Sequence, residues 1–298
     1  MRSKNDANFI EQTLAAVTSQ DYPGAIKRVH IDSGSTDGTF ETISKYGADQ
    51  LIQIQPEEYM PGRVLNTGMR LTAEDWVVFL NSDATPVGRD WLKNLLTCAV
   101  ESSQSSIVNR QSSIENRKSR IGAVFGRQVP RPGCRAVFVR DYERCFGPDR
   151  ESARWPHFFS MASSAVSRAA WLENPFREDI RYAEDDEWSY RIKVNGWEVL
   201  FAEHSTVVHS HNYTIEEVRK RTYGEGFTLA VSQPPQPFDP GFVTTVLLAG
   251  ARDSLQDLAY CGRHGRLLEW PHAVAVRYAQ RRGRRAGFLA GRTRKGRV

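Results

Sequence analysis

The stretch RVHIDSGSTDGT, residues 28–39, decides the fold of this chain. Its first four residues have the apolar, β-branched character of a short strand, and the polar residues after them are typical of a turn that leads into a helix N-cap. Phe40, Ile43 and Tyr46 then recur at helical spacing. The stretch predicts a strand, a turn and a helix in succession, with Asp32 at the carboxyl end of the strand.

Strands and helices alternate on both sides of this stretch. Apolar residues at helical spacing precede it, and two further strand patterns follow, separated by a helical pattern: strands at 51–54 and 76–80, helices at 9–17, 64–73 and 91–96. Such alternation is typical of βαβ units. It predicts an α/β fold with a mostly parallel sheet and helices on both faces. Since a βαβ series normally opens with a strand and the first helix begins near Asn8, we expect the first strand to be a truncated stub.

Later segments predict the domain organisation. Residues 105–118 hold a polar near-repeat, SSIVNRQ followed by SSIENRK, which predicts an exposed insertion at about 101–120. Strand patterns at 121–129 and 158–166 and a helix ending at Asn195-Gly196 follow, and a proline-rich break lies at 234–237. We predict a catalytic domain over residues 1–230, with parts at 1–100 and 121–230, and a linker, helical extension and basic tail over 231–298.

Charge is distributed unevenly along the 298 residues. The formal net charge is +5, but residues 277–298 hold nine basic and no acidic residues, so the remainder has 31 basic against 35 acidic residues. A solvated terminus without a partner is one interpretation of this basic tail, and contact with an anionic membrane surface or nucleic acid is the other. We favour the membrane surface over nucleic acid.

The sequence predicts a cytoplasmic protein. The residues after Met1 are polar and do not form a signal-peptide pattern, and the longest apolar run, 242–251, is shorter than a membrane span. The four cysteines lack metal-ligand spacing, as expected for thiols in a reducing compartment. A peripheral position on the inner face of the cell membrane is compatible with this pattern.

Two acidic loops follow predicted strands. Asp32 begins one, and Asn81-Ser82-Asp83 forms the other, directly after the strand at 76–80. Because the carboxyl ends of parallel strands line the ligand crevice of an open sheet, both loops are expected there. A divalent cation can be shared between an aspartate and phosphate oxygens, so this pair of loops indicates a nucleotide site. Turn formation alone is the structural alternative for each loop.

A third acidic segment, EDDEW at 184–188, opens the last predicted helix of the first 200 residues. Four successive carboxylates repel one another unless a helix N-terminus or a cation stabilises them. A carboxylate held at this place can also accept the proton of an attacking hydroxyl. The structural alternative is an ordinary acidic first turn.

These three segments, in this order and spacing, resemble the inverting family 2 glycosyltransferases with a GT-A (Rossmann-like) fold, from about residue 1 to residue 226. The stretches PGRVLN at 61–66 and HSHNY at 209–213 are similar to the bacterial rhamnosyltransferase-type branch. The resemblance implies a metal-dependent enzyme that moves a sugar from a nucleoside diphosphate to a hydroxyl with inversion.

The resemblance also implies roles for particular residues on the donor side. Asp32 matches the acidic position that contacts the nucleoside, with Ser33 where a second acid is frequent. Asp83 matches the last aspartate of the metal motif, whose first is here Asn81, with Ser82 between them. Because the family's usual arginine before this strand is absent, Arg63 is a candidate for the diphosphate, and a surface arginine is the alternative.

On the acceptor side, the resemblance makes Asp185 the general base. Glu184 and Trp188 are acceptor-side candidates, although a tryptophan at helical spacing is more often core. His209 is a candidate ligand for Mn²⁺ or Mg²⁺, while a hydrogen-bonded structural histidine is the alternative for it and the preferred interpretation of His211.

The sequence therefore predicts transfer from a dTDP- or UDP-sugar to a glycan or lipid-linked acceptor in cell-surface polysaccharide synthesis. The rival interpretation is a catalytically silent nucleotide-sugar-binding or scaffold protein. A nucleotidyltransferase is disfavoured because no glycine-rich phosphate loop with a basic residue is present near residue 1.

Overall fold

The structure, a computed structural model, describes residues 1–108, 120–233 and 241–295. These residues form two compact units: unit 1 comprises 1–129, 153–179 and 188–209, and unit 2 comprises 130–152, 180–187 and 210–298. The strands are β1 Arg2–Ser3, β2 Val29–Asp32, β3 Gln50–Gln53, β4 Trp76–Leu80, β5 Thr85–Pro86, β6 Arg120–Val129, β7 Ser163–Ser167 and β8 Trp197–Val208. The helices are α1 Ile10–Thr18, α2 Thr39–Tyr46, α3 Pro61–Arg70, α4 Trp91–Val108, α5 Ala136–Phe146, α6 Arg168–Glu173, α7 Glu184–Val194, α8 Ile215–Ser232, α9 Ala249–Arg263 and α10 Trp270–Lys295.

Unit 1 contains the strands. Three of them, in the order β1-β2-β3, are parallel, and β1 is also joined to β4 by a single parallel bridge between Arg2 and Asn81. The others form the order β4-β7-β6-β8-β5, in which β6 and β8 are parallel and the remaining pairs are antiparallel. The α/β class is confirmed, and the antiparallel pairs come from the second half of the unit.

The core of unit 1 explains why these elements form. Leu80, Leu95, Val124 and Ala165 lie on β4, α4, β6 and β7 and are almost fully buried, in one cluster. Burial of a leucine or valine side chain such as these contributes roughly 1.5–3 kcal/mol relative to exposure. This packing fixes the strand ends, from which the polar loops of the site leave.

Two sequence predictions differ from the structure in this unit. The predicted insertion loop begins inside a helix, because α4 extends through Val108; the rest of it, 109–119, lies outside the described residues. The strand predicted at 158–166 starts only at Ser163. The proline-rich stretch 234–237 also lies outside the described residues.

Unit 2 is helical, and the start of the basic tail is not the solvated terminus that was one interpretation of its sequence. Arg277 on α10 is 3% exposed, and its guanidinium lies 2.7 Å from Asp257 Oδ2 and 2.8 Å from Asp141 Oδ1. Burial would lower the pKa of Arg277, but the two carboxylates raise it above the usual arginine value. Arg281 pairs with Asp253, and Arg284 lies 2.7 Å from Glu225. The basic residues at the start of the predicted tail therefore belong to internal ion pairs of a packed helix.

Candidate active site

The Asp32 carboxylate organises the loop after β2. It is fully buried and accepts four hydrogen bonds: at Oδ1 from the hydroxyls of Ser3 (2.9 Å) and Ser35 (2.6 Å), and at Oδ2 from the Ser35 amide (2.8 Å) and Gln53 Nε2 (3.1 Å). Burial alone would raise the pKa of Asp32, but these donors outweigh it and the pKa is lowered. A direct contact with a nucleoside would therefore require one of these donors to be replaced.

The loop after β4 is held in place by Arg2 and Asp6, which were not identified as site residues from the sequence. Arg2 Nε donates to Asn81 Oδ1 at 2.8 Å, so the amide oxygen at the first position of the acidic triplet already has a cationic partner. The Ser82 hydroxyl donates to the carboxylate of Asp6. Asn81 and Ser82 therefore hold this loop against the end of β1, and Asp83 is the carboxylate of the triplet.

Asp6 is a second carboxylate in this region. Burial raises its pKa, hydrogen bonds from the Lys4 amide and Ser82 oppose that rise, and the charges of Asp83 and Asp37 add to it. Asp6 could have been identified from its position in the sequence, because it follows β1. The end of β1 lies between Asp32 and Asn81 in the strand pairing.

Strand pairing brings Asp83 and His209 together. The antiparallel ladder of β5 and β8 pairs Thr85 with Val208, so the residues just before β5 face those just after β8. The His209 amide also donates to the carbonyl of Val129 at 3.0 Å. As a result His209 Nε2 lies 3.5 Å from Asp83 Oδ2, and both side chains are about nine-tenths buried.

The side chain of Gln128 orients the imidazole of His209. The Nδ1 atom of His209 lies 2.8 Å from Gln128 Oε1, and Gln128 Nε2 donates to the Ser160 hydroxyl at 2.7 Å. In this arrangement the Nδ1–H group of His209 donates to Gln128 Oε1, which leaves the lone pair of Nε2 on the side of Asp83. Metal-bound histidines commonly have such a partner on their other ring nitrogen. Gln128 was not identified from the sequence, because glutamine on a buried strand has no distinctive pattern.

The donor set suits a divalent cation. One carboxylate oxygen and one imidazole nitrogen fit Mn²⁺ and, less well, Mg²⁺. Two ligands at right angles, each about 2.1 Å from an ion, are about 3 Å apart, close to the 3.5 Å between Asp83 Oδ2 and His209 Nε2. The two side chains are therefore placed to share one ion with little movement.

Unit 2 contains the acidic segment at the start of α7. Ala183, just before this helix, has φ of 55°, a left-handed conformation that is strained for alanine and frequent at functional sites. Glu184 and Glu187 are buried, whereas Asp185 and Asp186 are partly accessible. Of the four carboxylates, these two central ones reach solvent.

Two arginines of unit 2 balance this negative charge. Burial lowers the pKa of Arg221, while the neighbouring tyrosine and acidic groups, Asp185 among them, raise it overall. The pKa of Arg284 is also raised. Burial opposes this rise, and the charges of Glu225 and then Asp186 contribute to it. Together with the helix N-terminus, these cations make the cluster tolerable.

Two predicted site residues, Trp188 and Arg63, contact other groups of the protein in the structure. Trp188 is fully buried, donates from Nε1 to the Asn174 carbonyl at 2.6 Å and packs on Phe176 with ring centroids 4.7 Å apart. Trp188 is therefore a core residue, which was the favoured alternative for it, and its candidate role on the acceptor side is contradicted because no face of the indole reaches solvent. Arg63 is half-exposed and lies 3.5 Å from Glu178, so its role at a diphosphate stays a prediction.

Comparison with known proteins identifies the family. A profile described as Glycosyl transferase family 2 matches residues 1–154, just over half of the chain. The chain belongs to glycosyl transferase family 2. The predicted family is confirmed, and within it the matched region contains Asp32 and Asp83 but not the segment 184–188.

Two glycosyltransferases of Salmonella are similar in sequence. O-antigen chain rhamnosyltransferase WbaN of Salmonella anatum is 28% identical over 207 residues, 66% of this chain and 60% of the relative. O-antigen chain rhamnosyltransferase RfbN of Salmonella typhimurium is 27% identical over 240 residues, 76% of this chain and 70% of the relative. The match thus spans 60% to 70% of the length of these curated relatives.

A solved glycosyltransferase structure shares the fold. Mannosyltransferase PcManGT from Pyrobaculum calidifontis, in complex with GDP-Man and Mn²⁺, superposes with a TM-score of 0.62 at 19% identity, over 97% of this chain and 85% of that one. This similarity confirms the predicted GT-A fold.

Among the described residues, no helix has the length and apolar character needed to cross a membrane.

Proposed function

We propose that this chain is a metal-dependent inverting glycosyltransferase of polysaccharide synthesis. The observation that supports this best is the pair of Asp83 and His209, with the imidazole oriented by Gln128, in a glycosyl transferase family 2 chain. The donor is a dTDP- or UDP-sugar and the acceptor is a hydroxyl of a glycan or lipid-linked glycan. The names of the Salmonella relatives favour rhamnose as the sugar.

Asp83 and His209 would hold Mn²⁺ or Mg²⁺. Such an ion, when bound, supplies positive charge to the diphosphate of the donor and so stabilises the departing nucleoside diphosphate. The protein contributes the carboxylate, the oriented Nε2 and a loop fixed by the contacts of Asn81 and Ser82. His211, two residues after His209, is a candidate for a further ligand.

Asp185 is the proposed general base. In a single displacement the acceptor oxygen bonds to the anomeric carbon, the bond to the diphosphate oxygen breaks and the hydroxyl proton passes to a carboxylate. One displacement inverts the anomeric centre. Asp185 is partly accessible at a helix N-terminus, and Arg221 is a cationic neighbour.

A catalytically silent nucleotide-sugar-binding protein is the second candidate. The contact between Arg2 and Asn81 favours it, because the amide oxygen at the first position of the triplet is already used by a cation and Asp83 is the one carboxylate left for a metal. This protein would bind a donor nucleotide with Mn²⁺ but would not turn it over.

Donor turnover separates the two candidates. The full chain is incubated with dTDP-rhamnose or UDP-sugars, with and without Mn²⁺ and a rhamnose-accepting glycan, and free nucleoside diphosphate is measured by chromatography. We expect release that requires metal, is abolished by EDTA and is increased by acceptor. Metal-dependent binding of every donor without release would favour the silent protein.

A further inference from the structure

A segment of unit 2 exposes large apolar side chains in an unusual concentration. It comprises the π-helical turn Val243–Leu248, α9 and the 3₁₀ turn Leu267–Glu269. Seven side chains have exposed fractions between 45% and 98%, and we call them the 242–268 surface: Phe242, Val243, Leu247, Leu248, Leu255, Leu267 and Leu268. Single exposed leucines are ordinary in proteins, but a group on one segment indicates an interaction site.

Part of this surface lies along one face of α9. Leu248, at its N-cap, and Leu255 are seven residues apart, which is about two α-helical turns, and Gly262 lies seven residues further along the same face. Leu267 continues that face, since its Cδ2 lies 3.8 Å from the Cβ position of Gly262 near the end of α9. The opposite side of α9 is buried at Asp253 and Asp257.

Charge on this segment is also separated by side. Both acidic residues of 241–268 are buried and paired: Asp253 with Arg281 and with the exposed Arg252, and Asp257 with Arg277 and Arg140. The exposed ionisable side chains of the same range are Arg252, Arg263 and His264. The outward face therefore combines apolar side chains with positive charge and carries no exposed carboxylate between residues 241 and 268, while Glu269, which ends the segment, is partly buried and paired with Arg266.

We propose that the 242–268 surface binds the headgroup region of an anionic lipid bilayer. Apolar side chains beside arginines on one helical face are the pattern of interfacial segments, because the apolar groups enter the acyl boundary while the cations meet lipid phosphates. The absence of exposed carboxylates on this range removes the repulsion that an ordinary mixed surface would experience. The inference relies on this surface alone and is independent of the proposed reaction.

This assignment differs from an anchor made by the basic tail. Arg277, Arg281 and Arg284 hold buried or partly buried carboxylates inside unit 2, so their charges are largely balanced there. The 242–268 surface supplies seven exposed large apolar side chains, whereas the described part of the tail has Leu289 alone. An interfacial segment gains much of its affinity from such area, and charge adds to it.

Vesicle co-sedimentation tests the proposal with the full chain. The probes are vesicles of phosphatidylcholine with and without phosphatidylglycerol, at low and high salt. We expect salt-sensitive binding to the anionic vesicles. The triple variant Leu248→Gln, Leu255→Gln, Leu268→Gln should bind tenfold or more weakly, about the effect of one buried leucine. The control Leu172→Gln, Val194→Gln, which changes exposed residues of unit 1, should bind like the natural protein.

A charge-matched pair of variants tests the cationic part. Arg252→Gln, Arg263→Gln should weaken binding to anionic vesicles and flatten its salt dependence, whereas Arg219→Gln, Lys220→Gln on α8 should not. Equal vesicle binding by the triple variant and the natural protein would overturn the proposal. So would absence of vesicle binding together with a concentration-dependent dimer in sedimentation velocity that the triple variant abolishes, because the surface would then bind a second copy.

Discussion

At the residue scale, Gln128 has the most specific role that the structure adds. It contacts the candidate ligand His209 without belonging to the ligand pair, so Gln128→Leu should leave Asp83 in place and free the imidazole to rotate. We expect Mn²⁺ affinity to fall by about 10- to 100-fold, the usual effect of losing such a partner. Titration with Mn²⁺ followed by electron paramagnetic resonance measures it directly.

The matched control for Gln128 is on the same sheet. His204→Ala removes an exposed histidine from β8, the strand that leads to His209, and should leave Mn²⁺ affinity unchanged. If Gln128→Leu binds Mn²⁺ as the natural chain does, Gln128 does not orient a ligand.

His30 gives a prediction about acid stability. Burial chiefly, with the nearby charges of the Met1 ammonium and Arg28, lowers the pKa of His30 to about 3, and its Nδ1 is buried without a hydrogen-bond partner among the described residues. The unfolded chain, with a pKa of about 6.5, binds the proton first. The free energy of unfolding should therefore fall as the pH drops below about 6.5, by up to about 1.4 kcal/mol per pH unit from this group.

The contribution of His30 is isolated by difference. His30→Leu removes the titrating group, so urea unfolding at pH 7, 6 and 5 should show a smaller loss of stability in the variant than in the natural chain. The same pH dependence in both proteins would show that His30 is protonated in the folded state as easily as in the unfolded one.

At the scale of elements, close packing of α8 on α10 holds unit 2 together. Three glycines recur every four residues on α10, and a Cβ at the central one, Gly287, would lie 1.8 Å from the carbonyl oxygen of Tyr223. Those at Gly283 and Gly291 would also meet backbone of α8 at less than 3 Å. The two helices are therefore in backbone contact along this stripe.

Substitution in this stripe should destabilise the protein. Gly287→Ala gains up to about 1 kcal/mol of helix propensity, but it forces two stiff backbones apart, for which overpacking typically costs about 1–3 kcal/mol or more. We expect a net loss in thermal unfolding. The control Gly262→Ala on α9 adds a Cβ whose nearest neighbour is 3.8 Å away, so it should be neutral or stabilising. A stable Gly287→Ala variant would contradict the packing.

At the scale of the whole molecule, local pattern predicted what depends on neighbours in sequence. The strand 76–80 was predicted with its observed bounds. The turn after Asp32 lies, as predicted, at the carboxyl end of a strand. Residues whose role depends on distant partners were missed. Asp257 and Arg277 have no distinctive sequence pattern before folding pairs them, and the stripe of glycines in α10 was not recognised as a packing surface.

The site follows the same rule. The acidic loop at Asp83 was visible in the sequence, but the partners of Asn81 and His209 were not, because they come from β1 and β6. For Trp188, helical spacing fitted both a core and a sugar-facing position, and only burial decided between them.

Substitutions in the acidic segment test which of its carboxylates is the general base of the proposed reaction. Asp185→Asn, Asp186→Asn and Glu187→Gln are compared for turnover under saturating donor. Asp185→Asn is expected to lose roughly 10²- to 10⁴-fold, the span for a lost general base, and the buried Glu187 variant to act through stability. If Asp186→Asn alone abolishes turnover, the base is Asp186.

The most direct measurement is the metal dependence of donor binding in two variants. Calorimetric titration of dTDP and UDP in the presence of Mn²⁺ should show that Asp83→Ala loses metal-dependent binding together with turnover. Asp185→Asn should retain that binding and lose turnover alone, because it acts only on the acceptor proton. Metal-dependent binding of equal strength in Asp83→Ala and the natural chain would contradict the account.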